Sequence, residues 1–558
     1  MRYKNVQSPN IMQNCRISKV HTASHCSVIS DLLKRQIALL TFSGSGFKVK
    51  EMKNRLAILL ACLLLVMLAT VMNADAVVAD PSPTDWIVTD DEVVENQTIT
   101  LDGSLIIKGG GSLTLRNVTL TMDCQYDRQY GISVEDGGSL FIYDSKIAPV
   151  DSALGFSFTV DNANFEMKNS ELHGARAPGG EAVGGCFVSL LLRHVDGAII
   201  TGNTIYHADD VAILLEQCQS AVIKNNKIYS ANKESGGSTG IQLGNKANNN
   251  NIADNYFYAH EQVVGISGSW NNHVANNVAD MTVGARGIEV SHGAGNNIIE
   301  GNTLRQLGGE HTIIGLGVYA TPYPNLFLNN TVEQARTGAV VCASSNQMLV
   351  NNHLEVLRFE GVQLYHSYNN LIVNNVVTGN RFLTVVTGNG IKLLASSENT
   401  IRGNQILDCM DGIGLHYLSD NNIVEANFLE NNPTNIIVDD SQGNTITRNN
   451  FITRGYQGYD NNGNNNWSQN YWSDYAGKDR GDRIGETPYI ISPRGRDTEP
   501  LIDRLPLTAA PVPIFEPVPV EEGGPTDLTH IRDSITWKDQ VITLKSRLTI
   551  EEGGSLTL

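Results

Sequence analysis

Two pairs of ionisable residues in this chain are candidates for catalysis. Asp209 and Asp210 are adjacent carboxylates, and a glycosidase needs two carboxylates, one as acid and one as base. Lys392 and His416 stand one sequence repeat apart. A lysine could neutralise a uronate while a histidine removes the neighbouring proton, as a lyase or epimerase requires. Adjacent aspartates are also ordinary turn residues, so the sequence leaves catalysis open.

A row of polar residues is predicted to face solvent beside these candidates. In the recurring Gly-Ile-x-Leu segments, apolar residues alternate with residues that point outward. The predicted outward residues are Gln242, Glu289, Ser291, Gln363, Tyr365, Lys392 and His416. Such a strip suits an extended sugar chain, and a merely solvated polar face is the alternative. The predicted partner is therefore a polysaccharide or a cell-envelope glycan.

A recurring asparagine, in segments reading apolar-x-x-Asn-x-apolar, sets the spacing of these residues. It falls at Asn203, Asn226, Asn255, Asn277, Asn302, Asn330, Asn352, Asn375, Asn404, Asn427 and Asn450. The intervals lie between 22 and 29 residues, which indicates a repeat architecture. The segments are short, β-branched and without helical periodicity, so helical repeats are excluded. The sequence predicts an all-β solenoid of parallel strands, with these eleven asparagines marking its clear rungs.

Each repeat holds two short alternating runs that cannot bury their apolar side chains alone. Stacking is expected to place Ile391 and Leu393 against Ile413 and Leu415 in aliphatic columns. The asparagine is expected at a tight corner, where it tolerates left-handed backbone and where stacked amides bond along a ladder. Looser rungs are predicted at 111–115 and 138–142. Inserted loops are predicted at 233–237, 308–312 and 381–388.

The C-terminal segment carries the most specific motif. It reads Asn470-Tyr471-Trp472-Ser473-Asp474-Tyr475, then Gly481-Asp482, Ile484-Gly485, Thr487-Pro488-Tyr489 and the closing Asp497, Pro500 and Leu501. Over residues 98–507 the chain resembles the NosD-type, or carbohydrate-binding-and-sugar-hydrolysis (CASH), right-handed parallel β-helix surface proteins. The resemblance implies a right-handed β-helix, glycan binding on its lateral face and, from the NosD name, periplasmic copper processing.

Two of the activities suggested by resemblance lack their residues. The segment His207–Ile213 resembles the strand entry of polygalacturonase-like hydrolases, but that family's Asn-Thr-Asp, Gly-His-Gly and Arg-x-Lys motifs are missing. Copper handling would favour Met or His pairs at soft-metal spacing. The methionines beyond the predicted signal peptide are scattered, at Met122, Met167, Met281, Met348 and Met410. Hydrolase and copper-processing functions therefore remain alternatives.

Acidic residues in the C-terminal motif raise the possibility of bound calcium. They are Asp474, Asp479, Asp482 and Glu486. Hard oxygen ligands on a glycine-flexible turn suit Ca²⁺, although Arg480 and Arg483 intrude. The alternative is a folded aromatic cap over the last rung, because terminal repeats must be capped. Its residues would be Trp467, Tyr471, Trp472 and Tyr475.

The N-terminal part of the chain predicts export. Residues 1–51 lack the repeat and are interpreted as an upstream mis-start, and residues 52–76 read as a signal peptide. A membrane anchor is the alternative; cleavage would leave no stable span. Sequons for glycosylation occur at Asn96, Asn117, Asn329 and Asn466. Five cysteines without C-x-x-C spacing, at 124, 186, 218, 342 and 409, are expected to be buried thiols.

Charge and domain order complete the prediction. A net charge of −18 argues against a nucleic-acid partner. The predicted order is a lead-in at 77–97, the β-helix at 98–456, a NosD-type cap at 457–507, a proline-rich linker at 508–526, and a second β-helix beginning at 527–558. We expect a secreted or surface protein that binds carbohydrate or serves a structural role, with a polysaccharide hydrolase, lyase or epimerase as the alternative.

Overall fold

The computed structural model describes residues 84–178, 187–207, 210–230, 238–281, 286–306, 314–356, 358–379 and 388–518, with four short strands between 530 and 557. Within these residues the chain forms strands and turns and no helix. The described residues therefore contain no helix that could cross a membrane. The predicted mis-start, signal peptide and most of each predicted inserted loop lie outside the described residues.

Each rung contributes one strand to each of three sheets, which we call A, B and C in chain order. Sheet A comprises Trp86–Val88, Leu105–Ile107, Gly131–Val134, Ser157–Asp161, Phe187–Arg193, Val211–Glu216, Thr239–Gly244, Gln262–Ser267, Arg286–Ser291, Ile314–Tyr319, Thr337–Cys342, Val362–Tyr365, Asn389–Leu394, Asp411–His416, Thr434–Asp439, Tyr456–Asp460 and Tyr489–Pro493, with Ala177–Pro178 antiparallel to Phe187–Arg193.

Sheet B comprises Asp91–Glu95, Ser112–Arg116, Ser139–Tyr143, Asn164–Lys168, Ile199–Thr201, Val222–Lys224, Asn251–Ala253, His273–Ala275, Ile298–Glu300, Leu326–Leu328, Met348–Val350, Leu371–Val373, Thr400–Arg402, Ile423–Glu425, Thr445–Thr447, Asn466–Ser468 and Gly495–Asp497. Sheet C comprises Thr98–Leu101, Thr119–Met122, Lys146–Pro149, Glu171–His173, Thr204–His207, Lys227–Ser230, Tyr256–Tyr258, Val278–Met281, Thr303–Gln306, Thr331–Ala335, His353–Val356, Val376–Thr378, Gln405–Leu407, Phe428–Glu430, Asn450–Ile452 and Tyr471–Trp472.

The core is a set of aliphatic columns that run along the solenoid. Ile391 pairs with Ile413, and Leu393 with Leu415, on neighbouring parallel rungs, and all four side chains are fully buried. The predicted stacking is confirmed. Four of the predicted cysteines, at 124, 218, 342 and 409, are buried, and Cys186 lies outside the described residues.

A ladder of buried asparagine amides lies at the corner between sheets B and C. The Oδ1 of Asn226 accepts two hydrogen bonds from Asn203, one from the backbone N–H at 2.9 Å and one from the side-chain Nδ2 at 3.0 Å. The second Nδ2 proton of Asn226 goes to the carbonyl of Ile200 at 2.8 Å. The same pattern repeats to Asn427 and then to Asn449. The predicted ladder is confirmed, except that its eleventh member is Asn449 and not Asn450.

The left-handed backbone at this corner belongs to the residue before each ladder asparagine. Asn225, Asn276 and Asn374 have φ of 57°, 55° and 56°, and each directly precedes a ladder member. The prediction placed this conformation on the ladder asparagine itself and was wrong there. The turn and the amide therefore need two consecutive residues, one for the backbone and one for the hydrogen bonds.

A second asparagine ladder, which the repeat search did not find, lies between sheets A and B. Asn399 donates to Asn422 Oδ1 from its backbone at 2.9 Å and from Nδ2 at 3.1 Å. Its members stand five residues before those of the first ladder: Asn250, Asn272, Asn297, Asn325, Gln347, Asn370, Asn399, Asn422, Asn444 and Asn465. A serine ladder three residues earlier adds bonds such as Ser396 N–H to Ser419 Oγ at 3.2 Å.

Both ladders end on an aspartate. Asp497 accepts from the backbone and Nδ2 of Asn470 at 3.0 and 3.1 Å and from Trp472 Nε1 at 3.0 Å. Asp460 accepts from Asn465 Nδ2 at 3.2 Å and from Trp467 Nε1 at 2.8 Å. A carboxylate accepts without donating, so it satisfies the last amide and requires no further rung.

The aromatic cap takes the form that the sequence predicted, with different boundaries. Trp467 and Trp472 are buried, and Tyr489 stacks on Trp472 with ring centres 4.3 Å apart. Strands already begin at Trp86, so the predicted lead-in from Trp86 onward belongs to the first rung, and the predicted cap contains one further rung before its closing hairpin. Beyond residue 529, the described strands Ser534–Thr536 and Ser555–Thr557 pair in parallel; the start of a second β-helix stays a prediction.

The proline-rich segment lies against the solenoid, whereas the sequence predicted a linker. Three asparagines each clamp one residue in or just before this segment with two hydrogen bonds: Asn450 to Leu505, Asn374 to Ala510 and Asn296 to Val518. Ala510 and Phe515 pack on an apolar stripe of sheet B formed by Leu326, Met348, Val350 and Val373. We call residues 505–518 the strap; it runs from the last rungs back towards the middle of the solenoid.

Replacing one buried ladder amide should destabilise the whole solenoid. Asn375→Ala leaves the backbone N–H of Asn352 and one of its Nδ2 protons without an acceptor, at about 1–3 kcal/mol for each buried group, and it removes one of the two donors to Asn404 Oδ1. We expect a lower urea midpoint. Asn164→Ala, at an exposed strand position with one side-chain bond to Ser139, is the control and should change it little. Equal midpoints for the two variants would contradict the energetic role of the ladder.

Removing one clamp should release the strap without unfolding the solenoid. Asn374→Ala deletes both bonds to Ala510. Asn351→Ala is the matched control, because Asn351 occupies the same left-handed corner one rung earlier, with φ of 53°. We expect faster proteolysis within residues 505–518 in Asn374→Ala alone. Equal cleavage rates in the two variants would show that the clamp does not hold the strap.

Candidate functional site

The outer face of sheet A carries the predicted polar residues in register. Gln363, Lys392 and Gly414 follow one another on consecutive rungs, and His416 lies in the next outward column beside Leu394. Gln242 and Glu289 share the first of these columns, separated by Gly265. The structure therefore places all seven predicted residues on one face. Whether that face binds a ligand stays a prediction.

The part of this face around Gln242 and Glu289 is closed by contacts among its own residues. Gln242 and Glu289 are both only 8 % exposed. Glu289 accepts from Arg286 at 3.1 Å, and the amide of Gln242 folds over Gly265, where a methyl group would overlap it. These side chains already have partners, so this half of the face offers few groups to a ligand.

On later rungs of the same face, polar side chains converge on Gly414. The residues there are Glu360, Asn389, Lys392, Asp411, Gly414 and His416, which we call the Gly414 cluster. Asn389 Nδ2 and His416 Nε2 both lie over Gly414, where a side chain would overlap them. Asn389 Nδ2 is buried and has no hydrogen-bond partner among the described residues. The cluster therefore holds an amide donor that none of the described residues uses.

Burial governs the charges of the Gly414 cluster. Desolvation, aided by the charge of Lys392, lowers the pKa of His416 to about 4, so its imidazole is neutral at pH 7. Burial raises the pKa of Asp411, with Thr434 and Lys392 opposing the shift. Lys392 Nζ lies 3.2 Å from Glu360 Oε1. The cluster offers a neutral imidazole, a free amide and a paired ammonium within two rungs.

Of the two predicted catalytic carboxylates, the described one, Asp210, is not brought together with this cluster. Asp210 Oδ2 accepts the backbone N–H of Phe187 at 3.1 Å, which is a structural contact at the entry of a strand. Asp209 lies outside the described residues. Lys392 and His416 do stand on adjacent rungs, as predicted. Their role as acid and base remains a prediction.

Three of the four predicted calcium ligands make separate local contacts. Asp482 pairs with Arg480 at 2.8 Å, Asp479 accepts the backbone of Gly481 and Arg483, and Asp474 accepts the hydroxyl of Tyr489 at 3.1 Å. Among the described residues, no three His, Cys, Asp or Glu side chains form a group that could hold a metal. Calcium, with Glu486 as the fourth ligand, therefore stays a prediction without converged ligands.

The four predicted glycosylation sites all present their side chains to solvent. They are Asn96, Asn117, Asn329 and Asn466. Asn117 Nδ2 donates to Asn96 Oδ1 at 2.8 Å, so these two side chains are neighbours on adjacent rungs. Exposure satisfies the steric requirement for modification, and glycosylation itself stays a prediction.

A buried histidine pair was missed by sequence reasoning. His207 Nε2 and His260 Nε2 lie 2.9 Å apart, with both rings inside the corner between sheets C and A. His260 Nδ1 has no hydrogen-bond partner among the described residues. The two residues stand four and five positions after their ladder asparagines, and this offset hides them from a search for equivalent positions. Two imidazole nitrogens this close together, without a third His, Cys, Asp or Glu ligand among the described residues, do not fit a copper site.

The chain also has a depression that no motif predicted. It has a volume of about 520 Å³ and lies at the corner between sheets C and A, near the C-terminal end of the solenoid. Asn431, Pro433, Thr453, Arg454 and Gly455 line it. Its only ionisable lining residue is Arg454, so this lining supplies no acid–base pair.

Comparisons with known proteins agree with this architecture. The family model described as "Right handed beta helix region" matches residues 103–304 and 188–355, which defines the class of the protein. The model described as "Periplasmic copper-binding protein (NosD)" matches residues 317–477. The chain is a NosD-like right-handed parallel β-helix protein. No curated protein matches it significantly.

Several solved structures are similar to this chain at low sequence identity. The periplasmic alginate epimerase AlgG is 14 % identical, over 65 % of this chain and 77 % of that chain, with a TM-score of 0.35. A tailspike mutant of E. coli bacteriophage HK620, in complex with a pentasaccharide, is 10 % identical over 62 % and 73 %, with a TM-score of 0.43. DFA-IIIase from Arthrobacter chlorophenolicus A6, in complex with GF2, is 14 % identical over 48 % and 85 %, with a TM-score of 0.33.

The histidine pair predicts a loss of stability in acid. Burial and His207 hold the pKa of His260 well below its usual 6.5, so the unfolded chain takes up a proton that the folded chain refuses. This stability is present above pH 6.5 and is lost as the pH falls below it, by at most about 1.4 kcal/mol per pH unit for one group. We expect the urea midpoint to fall from pH 7 to 5.

Substitution isolates this contribution. His260→Phe should show a weaker pH dependence of the urea midpoint than the wild type. His353→Phe, which replaces an exposed histidine on sheet C, should keep the wild-type dependence. The same slope in His260→Phe and wild type would contradict the assignment.

Proposed function

We propose that the protein binds an extended glycan along the outer face of sheet A, with the Gly414 cluster as the central subsite. The observation that carries the proposal is the unused, buried amide of Asn389 beside the neutral imidazole of His416 over a glycine floor. Buried polar groups normally have a partner. A sugar hydroxyl can accept from this amide and donate to the imidazole.

The shape of the face supports a long ligand. Parallel rungs repeat at about 4.8 Å, close to the length of one pyranose residue, so successive sugars can meet equivalent columns. Gln363 and Tyr365 flank the cluster on the preceding rung, and both are partly exposed. An extended chain of sugars lying along the solenoid axis would contact them together with Lys392 and His416.

Binding is favoured over catalysis by the state of the ionisable groups. An imidazole with a pKa of about 4 is a weak base at neutral pH, and Lys392 is held by Glu360 at 3.2 Å. A polysaccharide hydrolase, lyase or epimerase on the same face is the second candidate, because the raised pKa of Asp411 is a feature that acid–base sites share.

We place the protein outside the cytoplasm. The exposed sequon asparagines and the signal-like segment at 52–76 support this location, as does the word "periplasmic" in the description of the NosD model. A glycan of the cell envelope would then be the available partner.

The test uses the full chain and a panel of neutral and uronic-acid polysaccharides, with affinity measured by calorimetry. Asn389→Ala and Lys392→Ala should each weaken binding by at least about tenfold, or about 1.4 kcal/mol. Lys224→Ala is the matched control, since Lys224 lies on sheet B and pairs with Asp254 at 3.2 Å. It should leave binding unchanged.

Product assays on the same panel separate the two candidates. New reducing ends or unsaturated uronate absorbance, lost in His416→Ala, would assign an enzyme to this face. Affinity that is equal in wild type, Asn389→Ala and Lys392→Ala would show that the Gly414 cluster is not the subsite.

A further inference from the structure

We infer that the glycan bound on sheet A is uncharged. This inference rests on the proposed function and names its ligand class. A polyuronate would need cations that are free to meet its carboxylates. Among the described strands of sheet A, the outward-facing cations are Arg193, Arg286 and Lys392, and the pairing of these three decides the question.

Each of the three cations already has a carboxylate of the protein. Arg193 lies 3.2 Å from Glu216 and 3.6 Å from Asp161. Arg286 lies 3.1 Å from Glu289, and Lys392 lies 3.2 Å from Glu360. The partners of Arg286 and Lys392 are well shielded from water, with side-chain exposures of 11 % and 13 %. Recruiting these cations to a ligand would leave a shielded carboxylate unpaired.

Further carboxylates remain after this pairing. Asp411 and Asp439 face outward on neighbouring rungs of the same sheet, in register with Thr434 and His416 respectively. Burial raises the pKa of both groups, and Asp440 adds to the shift at Asp439. The three cations therefore share the face with six carboxylates: Asp161, Glu216, Glu289, Glu360, Asp411 and Asp439. An anionic sugar would be repelled here, most strongly at low salt.

Uncharged hydrogen-bonding groups are what this face leaves available. The amide of Asn389 has no partner among the described residues, and the imidazole of His416 is neutral at pH 7. Gln363 and Tyr365 add an amide and a phenol on the next rung. Hydroxyl groups can pair with all four groups, and a sugar without carboxylates would bring no charge beside Asp411.

The experiment compares matched polymers. Polyglucuronate, polygalacturonate and polymannuronate are each tested beside their carboxyl-reduced forms, which have the same backbone without the charge. Binding to the full chain is measured in EDTA at low salt. We expect at least tenfold tighter binding to the reduced form of the recognised backbone, and a smaller difference at high salt because charge repulsion is screened.

Charge-removing variants make the result specific to this face. Glu360→Gln with Asp411→Asn should improve binding of the uronan at least threefold. The same number of charges removed from sheet B, by Asp254→Asn with Glu425→Gln, should have no effect. Asp254 and Glu425 pair with Lys224 and Arg402 on that sheet.

The outcomes distinguish the two proposals. Tighter binding to the uronan, uronan binding restored only by calcium, or no gain in the sheet A variant would overturn the inference and leave glycan binding in place. Absence of binding to every polymer, charged or reduced, would contradict the proposed function itself.

Discussion

The solenoid depends on one constraint: an amide buried in the core must find partners on every rung. Each ladder asparagine receives two donors from the rung before and gives its own protons to a neighbour and to a carbonyl. An amide left without them would cost about 1–3 kcal/mol for each buried group. Each additional rung with this corner must therefore supply its own ladder amide. The ladder can end only where a group that accepts without donating receives the N–H groups of the last asparagine.

Asp497 and Asp460 are these acceptors. Each also binds an indole N–H, of Trp472 and Trp467, so the aromatic cap and the ends of the ladders are one structure. This explains physically why the C-terminal motif combines tryptophans with a distant aspartate. The motif marks the end of a hydrogen-bonded column, and its remaining acidic residues make local contacts in an exposed loop.

The fold was largely predictable because stacking repeats one local solution. Period, apolar columns and the first ladder follow from the sequence, and Asn449 was missed only because Asn450 stands beside it. The second ladder had a signal, an asparagine five residues before most members of the first from Asn255 onward, with Gln347 before Asn352. The strap had none: its clamps join residues 55, 136 and 222 positions apart. The histidine pair was likewise missed, because His207 and His260 stand at positions that differ by one residue relative to their ladder asparagines, and a search for equivalent positions does not pair them.

The candidate site on sheet A depends on two glycines, whose missing side chains leave space on the outer face. Gly265 and Gly414 stand in mid-strand with ordinary backbone angles, where glycine weakens a sheet, so their conformation does not require glycine. At both positions a neighbouring polar side chain folds into the vacant space. At Gly265 the incoming amide bonds its own strand, and the face closes. At Gly414 the incoming amide belongs to Asn389, which is equally buried, and its Nδ2 bonds nothing described. The difference between the two rungs therefore lies in one unsatisfied donor, and on this sheet that donor lies beside a neutral imidazole and a paired cation.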